Sequence, residues 1–112
     1  MKYVSKNDAV EFKNAETCIA LEYETGTPDI NLARIDISGR YPEHGTAVNT
    51  KVTEIVYVLQ GSGSVTVNGV FTALTAGDVI SVAVGEAVFW EGELSLVIAC
   101  SPAWYPGQYE NT

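Results

Sequence analysis

The stretch that decides the fold is TEIVYVLQGSGSVTVNGVFTALTAGD, residues 53–78. It consists of short runs rich in Val, Ile, Tyr and Thr, and Gly or Asn interrupts them about every ten residues, as is typical of β-strands and turns. Asn68-Gly69 separates VTV from VFTAL. A type I′ turn needs positive φ at both central residues, which Asn and Gly tolerate, so the flanking strands are predicted to form an antiparallel hairpin.

Outward from this stretch the same pattern continues, and nowhere do apolar residues recur at helical spacing over three turns. The chain is therefore predicted to be all-β. The expected strands are 17–23, 30–37, 46–49, 53–60, 64–67, 70–74, 79–83, 87–90 and 94–100. Gly92-Glu93 is interpreted as a tight turn that pairs strand 87–90 with strand 94–100, because Gly supplies the φ that branched residues avoid.

The two ends are expected to flank this β-structure. Residues 1–15 are interpreted as an N-terminal arm and residues 102–112 as a tail packed on the barrel. Pro102 and Pro106 each remove a backbone donor, so the tail is not expected to continue a sheet. Trp104 and Tyr105 are expected to anchor it by burying aromatic surface.

Length and composition favour one compact domain, residues 1–112, with 46% apolar residues. The formal charge of −8 and the lack of a Lys/Arg cluster disfavour nucleic acid as a partner. No apolar run is long enough for a membrane span and the start does not resemble a leader, so we expect a cytoplasmic protein. Cys18 and Cys100 are then expected to be buried thiols.

Two segments resemble the two motifs of the cupin superfamily. The first lies in residues 53–69, where six residues separate Glu54 from Gly61. The second lies in residues 74–90, where Gly85 follows the Gly of Gly77-Asp78 by eight positions. Residues 39–50, FWEG and CSPAWYPGQYE further resemble a group of small stand-alone cupins without a settled function. The resemblance implies a double-stranded β-helix, or jelly-roll, barrel of two antiparallel sheets. It also implies a homodimer, because small cupins often associate through their sheets and exposed edges invite pairing.

The resemblance also shows which metal ligands are missing. In metal-binding cupins the first motif supplies two His and a Glu, and the second motif supplies another His. Here the first two positions fall on Ala47 and Asn49, or on Val48 and Thr50, while the last falls on Val88. Only the carboxylate, Glu54, is kept. One carboxylate and one amide make a weak site, so no metal or other cofactor is expected.

Glu54 and His44 are the candidates for catalysis. Glu54 is expected to face the barrel interior with Val56 and Val58, where it either contacts a ligand or acts as a base; otherwise it belongs to an internal polar network or a solvated strand start. His44, the sole histidine, is either a general acid or base near the barrel mouth or an incidental loop residue.

The expected ligand-binding set also contains residues around the lost metal position. Arg40 would pair with a ligand carboxylate, or else with a surface acid. Trp90 shares strand parity with Val88 and would form a pocket wall or fill the core. The predicted ligand-binding residues are Glu54, Asn49, Arg40, Val88 and Trp90.

Three functions follow from these residues. The first is metal-independent binding of a small polar molecule inside the barrel. The second is an enzyme, either an isomerase or epimerase using acid–base chemistry or a metal-dependent oxygenase or isomerase with a reduced ligand set. The third is a closed barrel that serves only as a dimerisation or interaction module. The sequence does not identify the ligand or the reaction.

Overall fold

A computed structural model describes residues 1–112, and nearly all of its regular structure is β. The strands are β1 Val10–Ala15, β2 Cys18–Tyr23, β3 Asn31–Tyr41, β4 Ala47–Asn49, β5 Thr53–Val67, β6 Val70–Thr75, β7 Val79–Val82, β8 Ala87–Ser101 and β9 Tyr109–Asn111. A short 3₁₀ turn spans Pro106–Gln108. No helix is long and apolar enough to span a bilayer. The all-β prediction is confirmed.

The two long strands β5 and β8 organise the sheet. They pair antiparallel from Thr53 opposite Ser101 to Val67 opposite Val88. The other edge of β8 pairs with β3 and then with β4, whereas the other edge of β5 pairs with β7 and then with β6. Because β5 and β8 contribute to both halves, the sheet curls into two facing layers. This is the predicted jelly-roll architecture.

The two predicted turns have different outcomes. The Asn68-Gly69 hairpin is confirmed, since Val67 pairs with Val70 and both turn residues have positive φ. The predicted turn at Gly92-Glu93 is wrong, because β8 runs without a break from residue 87 to residue 101. Gly92 serves as a bend within this strand rather than as its end.

The core lies between the two layers and is built largely from one face of β8. Its buried residues are Val88, Trp90, Leu94, Leu96, Ile98 and Cys100. On β5 the inward positions change from Val56 and Val58 to Val65, because the register shifts between Val58 and Gln60. This bulge changes the parity of the inward positions and keeps the apolar residues of both halves in the core.

Both ends of the chain join the sheet. Part of the predicted N-terminal arm forms β1, which pairs with β2. The sheet does not continue through Pro102 and Pro106, as expected, because β8 ends at Ser101. Beyond the prolines the tail adds the short strand β9, which pairs with β4. The tail is anchored by Gln108, which is 2% exposed, whereas Trp104 and Tyr105 remain 37% and 45% exposed.

Candidate functional site

Glu54 lies near the start of β5 and belongs to its inward-facing row. Its neighbours in the ladder are Cys100 of β8 and Val82 of β7, both buried. Val56 and Val58, which follow at the same parity, are fully buried. The register therefore places Glu54 at one end of the apolar core, as expected from strand parity.

The carboxyl group of Glu54 is held by a thiol and an amide. The Cys100 Sγ donates to Glu54 Oε2 at 3.6 Å. Burial raises the pKa of Glu54, and interactions with Cys100 and Asn49 oppose this increase only in part. Burial also raises the pKa of Cys100, and the nearby charge of Glu54 adds to the effect. Glu54 therefore retains its proton more readily than an exposed carboxyl group does.

Asn49 is oriented by two donors from the tail. Its Oδ1 accepts hydrogen bonds from Gln108 Nε2 at 2.8 Å and from Trp104 Nε1 at 3.1 Å. The other end of the Gln108 amide accepts from the Lys51 backbone N–H at 3.2 Å. With the Asn49 oxygen occupied in this way, its NH₂ group is the end left to interact with Glu54, whose pKa Asn49 lowers.

These residues do not fit a metal centre. Ala47 and Val88 face each other as ladder partners and offer no donor atoms. The oxygen of Asn49 already accepts two N–H groups, which leaves Glu54 as the only acidic ligand at this position. No group of three or more His, Cys, Asp or Glu side chains in the chain is arranged to hold an ion. The polar groups around Glu54 are thus engaged in hydrogen bonds.

Two tyrosines adjoin this network, Tyr41 at the end of β3 and Tyr109 at the start of β9. Burial raises the pKa of both phenols, and the charge of Glu54 raises both further. The two phenols also influence each other, because Tyr109 adds to the increase in the pKa of Tyr41 whereas Tyr41 opposes the increase in the pKa of Tyr109. Neither tyrosine could be predicted as a site residue, because the two lie far apart in the chain and share no motif.

The tyrosine pair forms the inner wall of a cavity of about 440 Å³, here called the mouth cavity. It lies between the open edges formed by β1 and β9. The lining residues are Asn14, Ala15, Tyr41, Pro42, Glu43, His44, Tyr109 and Asn111. The cavity therefore combines aromatic surface, amides, a carboxylate and the sole imidazole, without any Lys or Arg.

The structure brings only some of the predicted site residues together. Glu54 and Asn49 are in the same network, and His44 lines the mouth cavity in front of the tyrosines. Val88 and Trp90 lie in the packed core, 3% and 5% exposed.

Arg40 lies outside the lining of the mouth cavity. Its guanidinium donates to the backbone carbonyls of Pro42 and Gly45 and lies over the Phe89 ring. Its N–H groups thus serve the loop that carries His44.

Comparisons with known proteins agree with this architecture. The sequence profile of the EutQ-like cupin domain matches residues 43–97. No protein of curated function matches the sequence. Among solved structures, Pac13 from Streptomyces, described as a nucleoside dehydratase, superposes with a TM-score of 0.90 at 18% identity, covering 100% of this chain and 92% of that one.

Two further structures have the same fold. Ectoine synthase from P. lautus has a TM-score of 0.76 at 16% identity and covers 100% of this chain and 90% of its own. KdgF from Halomonas sp. has a TM-score of 0.75 at 18% identity, with coverages of 91% and 94%. At these identities the similarity concerns the fold.

The curled antiparallel sheet with its interior polar site defines a jelly-roll barrel protein. The profile match over residues 43–97 and the shared architecture identify a small single-domain protein of the cupin fold.

Proposed function

We propose that this cupin binds a small, uncharged, hydrogen-bonding molecule in the mouth cavity without the help of a metal. The observation that carries the proposal is the convergence of His44, Tyr41 and Tyr109 on one cavity, with Glu54 behind the tyrosines. Concave sites with aromatic walls and a few fixed polar groups are typical of small-molecule binding. Asn49 is the ladder partner of Tyr109, and Glu54 is close enough to raise the pKa of both phenols.

The charge of the cavity favours an uncharged ligand. Glu43 is the only carboxylate in its lining, which contains no Lys or Arg, and the whole chain has a net charge of −8. The guanidinium of Arg40 is engaged with loop carbonyls. A phosphate or carboxylate would therefore enter without a cationic partner, which is costly in a partly buried site.

Uridine is a suitable first probe, because Streptomyces Pac13, which has the same fold, has been solved with uridine. Isothermal titration calorimetry with a panel of uncharged nucleosides and monosaccharides tests the proposal, with uridine 5′-monophosphate as the anionic counterpart. We expect an uncharged compound to bind and its phosphorylated form to bind at least tenfold more weakly. Failure of every uncharged compound, or tighter binding of the phosphate, would overturn the proposal.

Variants locate the binding site. Tyr109→Phe removes a hydroxyl from the cavity lining and is expected to weaken binding about tenfold, or about 1.4 kcal/mol. Tyr105→Phe is the matched control, because Tyr105 is exposed and outside the cavity. Equal effects of the two substitutions would place the ligand elsewhere.

A second candidate is an enzyme that transfers protons at the same site. The arrangement that favours it is an imidazole in front of two paired phenols, with a carboxyl group of raised pKa behind them. Such groups can act as acid and base on one ligand. Incubating the same compounds in D₂O and following deuterium incorporation at carbon by NMR tests this, with His44→Gln expected to abolish exchange. Elemental analysis of the purified protein addresses the metal-dependent alternative.

We also propose that the chain forms a homodimer through an exposed apolar face. Val79 of β7 is opposite Tyr57 of β5 in the sheet, and Leu32 of β3 lies across β8 from Ile55 of β5. All four side chains are more than 40% exposed. Contiguous apolar surface of this kind favours association. Light scattering at micromolar concentration should give a dimer for the parent chain and a monomer for Tyr57→Glu. If no ligand binds, association would be the main role of the protein.

The two free thiols favour a reducing, cytoplasmic setting for the protein.

A further inference from the structure

We infer that Arg40 and Asn111 are positioning residues that fix His44 at the mouth cavity. The first observation is the fork formed by Arg40. Its Nη1 donates to the Pro42 carbonyl at 2.5 Å and its Nη2 to the Gly45 carbonyl at 3.0 Å. The two bonds span the backbone on both sides of His44. The guanidinium carbon lies 3.9 Å from the centroid of the Phe89 ring, which restrains its plane.

Asn111 of β9 holds the same loop from the other side. Its Nδ2 donates to the carbonyl of His44 at 3.1 Å and to that of Thr46 at 3.0 Å. The backbones of Thr46 and Thr112 exchange a pair of hydrogen bonds beside it. The carbonyl groups of residues 42, 44, 45 and 46 thus all have donors.

The neighbouring Glu43 is also engaged. Its Oε1 accepts from the backbone N–H of Glu16 at 3.0 Å. Among the ionisable side chains of this loop, the imidazole of His44 is therefore the one that has no hydrogen bond within the protein and lines the cavity. A fixed backbone with a free imidazole preorganises that group for a ligand, which lowers the entropic cost of binding.

The inference assigns Arg40 a different task from pairing with a ligand carboxylate. Because both of its terminal nitrogens face loop carbonyls, lysine cannot replace it. A lysine keeps the charge but lacks the planar fork, so it cannot bond both carbonyls at once. Arg40→Lys therefore separates the positioning effect from the effect of charge.

Backbone ¹⁵N relaxation tests the positioning without any ligand. In the parent chain the amides of residues 43–46 should show order parameters of about 0.85, typical of rigid backbone, and Arg40→Lys and Asn111→Ala should each lower them toward 0.6. Arg34→Lys is the matched control, since Arg34 contacts Asp36 and Ser95 away from the loop. Unchanged order in both loop variants would overturn the inference.

The ligand part rests on the proposed function and uses the uncharged probe that binds best. Arg40→Lys should weaken its binding at least threefold in the parent chain and cause no further loss in a His44→Gln background. An equal loss in both backgrounds would show that Arg40 acts independently of His44 and would contradict the inference. If no probe binds, the proposed function fails while the relaxation experiment still decides whether the two residues position the loop.

Discussion

Gly92 of β8 faces Gly63 of β5 so closely that a Cβ atom on Gly92 would lie 2.6 Å from the Gly63 Cα. Gly92 also has a φ of +119°, a conformation that residues with side chains rarely adopt. The two strands remain paired here, and a side chain at position 92 would prevent this close approach.

Replacing Gly92 with alanine is therefore expected to be severely destabilising. The Cβ would collide with backbone atoms, which cannot move aside as a side chain can, so we expect Gly92→Ala to lower the free energy of unfolding by more than about 3 kcal/mol. Gly85→Ala is the control, because Gly85 also has positive φ but has nothing within 4 Å of its added Cβ. That variant should lose only about 1–2 kcal/mol in urea titrations. Similar losses in both would contradict a role for close strand approach.

Removing the amide of Asn49 should destabilise the tail. Asn49→Ala leaves the indole N–H of Trp104 and the buried amide of Gln108 without their acceptor. We expect a loss of about 2 kcal/mol in urea titrations, with an earlier change in tryptophan fluorescence than in far-UV circular dichroism. Gln60 is exposed. Gln60→Ala should therefore change the free energy of unfolding by less than about 0.5 kcal/mol, as is usual for surface substitutions. A stable Asn49→Ala protein would show that water replaces the network.

The raised pKa of Glu54 predicts a specific dependence of stability on pH. The folded state binds the Glu54 proton more tightly than the unfolded state does. The contribution of this proton to the free energy of unfolding is therefore fully present below the unfolded-state pKa of Glu54, near 4.5, and is lost as pH rises through the folded-state pKa. Glu54→Gln has no such proton. The stability of the parent relative to Glu54→Gln should therefore decrease as pH rises above about 4.5.

Urea titrations between pH 4 and pH 8 measure this difference. The pKa of Glu22 is also raised by burial, so Glu22→Gln provides a comparison that isolates the contribution of Glu54. A parent-to-variant difference that stays constant over this range would be inconsistent with a buried, proton-retaining Glu54.

The two thiols should be unreactive in the folded protein. Cys18 and Cys100 are buried, and burial raises the pKa of Cys18 to about 12. At pH 8 only about one Cys18 side chain in 10⁴ would be a thiolate, the reactive form. Ellman's reagent should therefore label neither thiol in native protein and both in denaturant. Rapid labelling of one thiol without denaturant would indicate local opening around it.

Local patterns predicted much of the fold. The Asn68-Gly69 turn and the alternation along β8 depend on neighbours in sequence, so both could be predicted. The prediction of a turn at Gly92 is wrong because a glycine with positive φ is compatible both with a turn and with a continuous strand. Only the partner opposite, Gly63, decides between them, and that pairing is a long-range property of the sheet.

Part of the candidate site could also be predicted from local patterns in the sequence. Glu54 follows from motif spacing and strand parity, and Asn49 from the lost ligand position. Tyr41 and Tyr109 meet only because β9 returns beside β4, and the prolines of the tail argued against such a strand. The contacts of Arg40 with nearby carbonyls could not be predicted, because they depend on the loop conformation.

The two donors on the Asn49 oxygen also limit how a metal ion could be introduced into this barrel. Placing histidines at positions 47, 49 and 88 beside Glu54 would restore the ligand types, but it would also remove the acceptor of Trp104 and Gln108. The 3₁₀ turn and β9 would then lose an attachment on which the wall of the mouth cavity depends. Building a metal site here would therefore require substitutions in the C-terminal segment together with those in the barrel.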